Sequence, residues 1–140
     1  MLQTKPLIRK AKRSLAISLL SLDLPFLVDK LKQDPGWAKG ELNTMVLLKN
    51  SYKKIVLTVL HEGTEIDSFQ ANGSITFQII TGNLEFYTQN ESVTLNAGHL
   101  LKIRENVKYR FTAREETAFL LTIAQGASQK EQNIILAESN

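Results

Sequence analysis

The sequence predicts an all-β domain, a sandwich or a barrel, preceded by a short helical segment. From Thr44 to Ile123, apolar side chains recur at every second position in short runs, which is typical of strands. Turn signals that contain glycine separate these runs at a spacing typical of all-β folds. Before Thr44, apolar residues have helical spacing instead.

The helical segment begins at Asp23, which is a suitable N-cap residue. Apolar side chains follow at helical spacing, at Leu24, Leu27, Val28 and Leu31, and Pro25 is tolerated in a first turn. Residues 34–36, Asp-Pro-Gly, predict the end of this helix. Trp37 is then expected in a loop, where covering one end of the core is favoured over lining a pocket.

The alternating runs predict strands over residues 45–48, 55–60, 75–80, 84–86, 93–95, 101–103, 107–112 and 119–123. The Gly82-Asn83 pair lies between two of these runs and predicts a two-residue hairpin turn. Asn72-Gly73 and residues 96–98 predict further turns. The chain of 140 residues is expected to form one domain. Its parts are a basic arm and helical segment (1–43), the barrel (44–124) and a polar tail (125–140).

The charge is concentrated in the N-terminal arm. Residues 1–13 hold five basic and no acidic side chains, whereas the remainder holds twelve basic and fourteen acidic ones. The barrel is therefore not basic, and the arm lacks aromatic residues between its charges. We expect no nucleic-acid partner.

The composition also bears on the compartment. The absence of cysteine fits a reducing environment. No run of about eighteen apolar residues predicts a membrane span. The apolar residues 15–20 follow a basic stretch, as in a signal peptide, but residues 21–25 offer no small-residue cleavage site. We expect a cytoplasmic protein without membrane attachment.

Two spaced motifs are found between Gly63 and Ala113. The first reads Gly63, five residues, Phe69-Gln70-Ala71, three residues, Ile75, six residues and Gly82. The second reads Gly98, five residues, Arg104-Glu105-Asn106, two residues, Tyr109, three residues and Ala113. This frame resembles the two motifs of the cupin superfamily, including their short separation. The resemblance covers about half of the chain and implies a double-stranded β-helix, or jelly-roll, barrel.

The resemblance also implies where a metal would be held. In cupins, two histidines and a glutamate of the first motif and a histidine of the second bind a metal inside the barrel. The matching positions here are Phe69, Ala71, Ile75 and Tyr109. Of these, only the tyrosine has a ligating atom, and a lone phenol makes a poor metal site. We therefore expect neither a metal nor another cofactor in the barrel.

The expected barrel lining is Phe69, Ala71, Ile75, Phe77, Tyr109 and Phe111. Such an apolar lining either packs shut or leaves a cavity in which Tyr109 is the polar group. In the first case the barrel is a structural or interaction module. In the second it binds a small apolar or mixed-polarity ligand. No histidine lies on this row, so Tyr109 lacks a partner for acid–base chemistry. If Tyr109 points inward, Lys108 and Arg110 should point outward.

The alternative is a cupin-type enzyme, a metal-dependent oxygenase or isomerase, with an unusual site at the barrel rim. His61 and His99, the two histidines of the chain, would bind the metal with nearby carboxylates. Two exposed turn histidines are the favoured interpretation, because metal sites need convergent ligands. The sequence thus favours a non-enzymatic binding or interaction protein. A homodimer is expected because cupin-like barrels commonly pair and residues 15–24 need cover.

Overall fold

The computed structural model describes residues 18–40, 42–67 and 73–124 of the chain. The two predicted lining residues Phe69 and Ala71, the basic arm and the C-terminal tail lie outside the described residues. In the described part of the chain, two helices, α1 (Leu24–Gln33) and α2 (Pro35–Lys39), precede the strands. The strands are β1 (Leu42–Lys49), β2 (Lys53–Leu60), β3 (Glu65–Asp67), β4 (Ser74–Thr81), β5 (Asn83–Tyr87), β6 (Ser92–Asn96), β7 (Leu100–Ile103), β8 (Arg110–Ala113) and β9 (Thr117–Ala124).

Helix α1 forms as its sequence predicts. The Asp23 carboxylate accepts a hydrogen bond from the Phe26 backbone N–H at 3.2 Å, which satisfies one of the unpaired donors of the first turn. Leu27, Val28 and Leu31 lie on one face and are buried. The predicted N-cap and apolar face are therefore confirmed.

The expectation that Trp37 lies in a loop is wrong. Asp34 ends α1 but also caps α2, because its side chain accepts the Gly36 N–H at 2.9 Å and Pro35 begins the new helix. An Asp-Pro pair suits a helix start as well as a helix end, so the local signal was ambiguous. Trp37 is buried within α2 and belongs to the apolar cluster beneath the helices.

The strands form two antiparallel sheets, which confirms the jelly-roll fold class. In the described residues, one sheet has the order β1-β2-β9-β4-β7 and the other has the order β3-β8-β5-β6. A cluster of buried side chains from both sheets, including Phe77, Phe86 and Phe119, lies between them. The barrel interior is therefore an apolar and aromatic core.

The hairpin predicted at Gly82-Asn83 is wrong. Strand β4 pairs with β7 and β9, whereas β5 pairs with β6 and β8 in the other sheet. Gly82 is the corner at which the chain crosses between sheets, with φ of 94°. A Cβ atom there would overlap Thr117 and the Glu116 carbonyl oxygen. Glycine is required at this corner by both its backbone conformation and the close approach of β9.

The five-stranded sheet is covered on both faces. Leu57 and Val59 of β2 pack under the helices with Leu31 and Trp37, while Leu60 faces the barrel core. The apolar run of β2 is therefore continuous, because both of its faces are buried. Helices α1 and α2 form a third layer of the domain.

Strand β1 contains a bulge. Its pairing with β2 runs in register from Leu42 opposite Leu60 to Val46 opposite Val56, and then resumes with Leu48 opposite Ile55. One additional residue on β1 shifts the register by one position, so that Lys49 lies directly opposite Lys54.

No helix of the described residues is both long and apolar enough to cross a membrane.

Candidate functional site

A pocket of about 310 Å³ opens into the barrel beside β1 and β2. Its volume lies at the lower end of the range for small-molecule sites, about 300 to 1,000 Å³. Three residues of the expected lining, Phe77, Tyr109 and Phe111, border this pocket. The pocket is lined by Leu42, Thr44, Lys54, Val56, Thr58, Leu60, Ile66, Phe77, Tyr109, Phe111, Phe119, Leu121 and Ile123.

Aromatic side chains form the inner wall of this pocket. The Phe77 ring contacts four other rings, and its centroid lies 5.4 Å from that of Phe111, 5.9 Å from that of Tyr109 and 5.2 Å from that of Phe119. The fourth, Phe86, packs edge-on at 4.7 Å. Edge-to-face contacts of this kind hold each ring in a defined orientation.

Tyr109 carries the polar group of this wall. Its side chain is only 4% exposed, and its hydroxyl oxygen is buried without a hydrogen-bond partner among the described residues. Burial raises the pKa of the Tyr109 hydroxyl well above its usual value, because the apolar surroundings disfavour the phenolate. The group therefore remains a neutral hydrogen-bond donor at physiological pH. It cannot act as a base there.

The outer part of the pocket is more polar. Thr44, Lys54 and Thr58 line it from β1 and β2, and these side chains face inward by strand alternation with Val56 and Leu60. None of the described residues that line the pocket is a carboxylate or a histidine. The described lining therefore offers hydrogen-bond donors and one cation, but no general base at neutral pH.

The predicted lining residues that the structure describes lie together in the barrel core. Ile75, Phe77, Tyr109 and Phe111 all belong to the buried barrel cluster, and the last three line the pocket while Ile75 lies in the same core. Lys108 and Arg110 are exposed, as expected from an inward-facing Tyr109. Whether these residues bind a ligand stays a prediction.

Sequence reasoning missed the contribution of β2 and β9 to the site. Lys54, Val56 and Thr58 of β2, and Phe119, Leu121 and Ile123 of β9, line the pocket. The alternation within each strand was visible in the sequence. The cupin motifs lie elsewhere in the chain, however, so the lining was inferred from the motif strands alone.

The two histidines of the alternative rim site have separate partners in the described structure. His61 is half-buried: its ring stacks on Trp37 with centroids 3.5 Å apart, and its Nε2 lies 2.7 Å from the Trp37 carbonyl oxygen. His99 is exposed, and its Nδ1 accepts the Asn96 N–H at 2.9 Å. Among the described residues, no group of three or more His, Asp or Glu side chains could hold a metal. The interpretation of His61 as an exposed turn residue is also wrong, because Trp37 covers it.

A second pocket, of about 270 Å³, lies on another side of the barrel. Phe86, Ile103 and Val107 contribute to its apolar part, and Lys102, Arg104 and Glu91 to its charged part. Arg104 and Lys102 are exposed. With solvated side chains of both signs, this pocket lacks the buried, unpaired polar group that distinguishes the first one.

Solved structures of other proteins share this architecture. An uncharacterised conserved protein with a double-stranded β-helix domain from Klebsiella pneumoniae is 19% identical, with 78% of this chain and 92% of that chain covered and a TM-score of 0.62. A conserved protein of unknown function from Streptococcus pyogenes is 18% identical, with 77% and 89% covered and a TM-score of 0.61. A cupin superfamily protein from Desulfitobacterium hafniense is 13% identical, with 61% and 79% covered and a TM-score of 0.59.

No family model and no curated protein matches the sequence. The structural likeness nevertheless defines the architecture: this chain has the cupin fold. The resemblance given by the motif spacing is thus confirmed at the level of the fold. Fold alone does not supply a function, so function must be argued from the pocket.

Proposed function

We propose that this protein is a non-enzymatic small-molecule-binding protein whose ligand occupies the pocket beside β1 and β2. The ligand has an apolar body that contacts Phe77, Phe111 and Phe119, and a polar atom that accepts a hydrogen bond from Tyr109. The observation that carries the proposal is the buried hydroxyl of Tyr109 in the wall of an open pocket, which has no hydrogen-bond partner among the residues that the structure describes.

An unpaired buried hydroxyl is costly. Leaving such a donor unsatisfied costs about 1 to 3 kcal/mol, and most buried polar groups in proteins have a partner. Phenylalanine would fill the same space in an aromatic wall without this cost. A ligand acceptor that pairs with Tyr109 would recover the lost hydrogen bond and so provides a physical reason for the tyrosine.

The pocket volume limits the size of the ligand. A water molecule occupies about 30 Å³ in the liquid, so 310 Å³ corresponds to roughly ten non-hydrogen atoms. A single aromatic ring or a medium-length alkyl chain with one polar group has this size. The open side of the pocket allows a longer polar portion to extend into solvent.

Acetophenone and its hydrocarbon isostere α-methylstyrene test the proposal, because they differ mainly by the carbonyl acceptor. We expect calorimetric titration to show both binding, with acetophenone tighter. Tyr109→Phe should weaken the binding of acetophenone by about fivefold, which is the effect of one hydrogen bond of about 1 kcal/mol. The affinity for α-methylstyrene should not change. Tyr52→Phe is the matched control, because Tyr52 is 71% exposed and does not line the pocket. Failure of both probes to bind the wild-type protein would contradict the proposal.

We also propose that the protein is a homodimer. Leu19 is 87% exposed and Leu20 is 44% exposed in the segment before α1, while Leu42 and Val46 are more than a third exposed on the edge strand β1. Exposed apolar side chains on an edge strand are suited to association with a second copy. Light scattering coupled to gel filtration tests this, and a monomer mass at micromolar concentration would contradict it.

A further inference from the structure

Two lysines lie together at one end of the pocket-facing surface of β1 and β2. Lys54 lines the pocket, and Lys49 lies directly opposite it in the strand pairing. Residues directly opposite each other in an antiparallel pair project from the same face of the sheet. Both ammonium groups therefore extend from the face that carries Val56 and Thr58.

This arrangement is unfavourable without an anion. Like charges directly opposite each other destabilise a strand pair. The ion pairs recorded among the described residues join Lys32 to Glu116 and Arg114 to Glu85, and none involves Lys49 or Lys54. On β3, in the opposite sheet, Ile66 lines the pocket, so Glu65 and Asp67 project from the other face by alternation.

We propose that the ligand is a small organic carboxylate, whose carboxylate group pairs with Lys54 and Lys49 while its apolar body lies against the aromatic wall. This inference rests on the proposed function and specifies the class of ligand. An anion at this position relieves the repulsion between the lysines and gains charge-assisted hydrogen bonds. The aromatic wall supplies the apolar contact, and the neutral Tyr109 hydroxyl is a further donor.

Three probes of nearly identical shape separate charge from size. 3-Phenylpropanoate carries the carboxylate, 3-phenylpropanamide is its neutral isostere and 3-phenylpropylamine is a cation. Each has about the number of non-hydrogen atoms that the pocket holds, roughly ten by the volume argument. Calorimetric titrations of the full chain at low and at physiological salt should rank them carboxylate, amide and amine. We expect about a tenfold preference for the carboxylate over the amide, as for a charge-assisted hydrogen bond, reduced by added salt.

The variants Lys54→Met and Lys49→Met keep an unbranched side chain and remove the charge. Each should reduce the preference for carboxylate over amide by about threefold or more, because carboxylate affinity falls further than amide affinity. Lys53→Met is the matched control, because Lys53 precedes Lys54, is exposed and projects from the opposite face. It changes the net charge equally and should leave the preference intact. Thermal denaturation of each variant verifies folding before titration.

The outcomes distinguish this inference from the function on which it rests. Equal binding of carboxylate and amide, both weakened by Tyr109→Phe, would retain the binding function and overturn the carboxylate assignment; the lysine stems would then only cover apolar surface. An equal loss of preference with Lys53→Met would also overturn it, because general charge would be responsible. If none of these probes nor acetophenone binds, both proposals fail.

Discussion

The imidazole of His61 stacks on the indole of Trp37 with ring centroids 3.5 Å apart and planes inclined by 15°. The same imidazole reaches the Trp37 carbonyl oxygen at 2.7 Å through Nε2. His61 directly follows β2 and Trp37 lies in α2. This pair therefore links the helical layer to the barrel through both a ring contact and a hydrogen bond.

His61→Ala should lower the free energy of unfolding by about 1.5 to 2 kcal/mol, because it removes a hydrogen bond of about 1 kcal/mol and a ring contact of similar value. Because Trp37 is the sole tryptophan, its fluorescence during urea denaturation reports directly on this contact. His61→Phe retains the ring contact alone and should recover about half of the loss. His99→Ala, at an exposed histidine, is the control. An unchanged tryptophan spectrum in His61→Ala would show that the rings do not stack in solution.

The helical layer is expected to be integral to stability. Leu31 is fully buried between α1 and the five-stranded sheet, so Leu31→Ala should cost about 2 to 4 kcal/mol in urea denaturation. The adjacent Lys32 makes only a partly exposed ion pair with Glu116 at 2.6 Å, so Lys32→Met should cost at most about 0.5 kcal/mol. Equal small effects of the two substitutions would mean that α1 is not docked on the sheet.

Gly82 and Gly98 provide a comparison between backbone strain and steric exclusion. Both have positive φ, 94° and 89°. A Cβ atom added at Gly98 would have no neighbouring atom within 4 Å, whereas one added at Gly82 would overlap Thr117 and the backbone of Glu116. Gly98→Ala should therefore cost only the strain of about 1 to 2 kcal/mol. Gly82→Ala should cost about 3 kcal/mol or more, or prevent folding. Equal melting temperatures for these variants would contradict the close approach of β9 to this corner.

The raised pKa of Tyr109 predicts a decline of stability at alkaline pH. The folded protein holds this proton more tightly than the unfolded chain, whose tyrosine has a pKa of about 10. Its contribution to the free energy of unfolding is thus complete below about pH 10 and is lost progressively above it. Tyr109→Phe should lessen the decline measured by urea denaturation between about pH 9 and pH 11, while Tyr52→Phe should not. A decline that is identical in both variants would mean that Tyr109 ionises freely in the fold.

Metal content tests the substituted motif positions independently of any ligand. After exposure to iron, manganese, zinc, nickel and copper salts and exhaustive desalting, we expect mass spectrometry to find far less than one metal ion per chain. The described residues at the motif positions, Ile75 and Tyr109, offer one phenol oxygen between them, and a metal site requires several convergent ligands. The double variant His61→Ala, His99→Ala should not change the content. Stoichiometric metal that is lost in this variant would restore the rim-site alternative.

The sequence predicted what depends on local pattern. Alternation placed Phe77 and Phe111 in the barrel core, and helical spacing placed Leu27 and Leu31 on one buried face. Gly82 was misassigned because a Gly-Asn pair between two apolar runs has the same local signature in a hairpin and at a crossing between sheets. Only the position of Thr117, far along the chain, distinguishes the two.

The remaining errors have the same physical origin. His61 and Trp37 are 24 residues apart in the sequence, and no local pattern indicates that their rings will meet. Lys54 begins an alternating strand, but exposure is the usual expectation for a lysine, so it was not assigned to the lining. That the Tyr109 hydroxyl has no partner among the described residues depends on which side chains pack around it, and only the three-dimensional structure determines this.

The additional residue in β1 determines the face of the sheet on which the Lys49 side chain lies. If the register of Val46 opposite Val56 continued without interruption, Leu48 would oppose Lys54 and Lys49 would oppose Lys53, on the side that the helices cover. Deleting Leu47, in contrast, would remove the bulge and keep Lys49 opposite Lys54, because Leu48 would then follow Val46 directly and still oppose Ile55. Strand β1 can therefore lose this one residue without any change in the side chains that it presents beside the pocket.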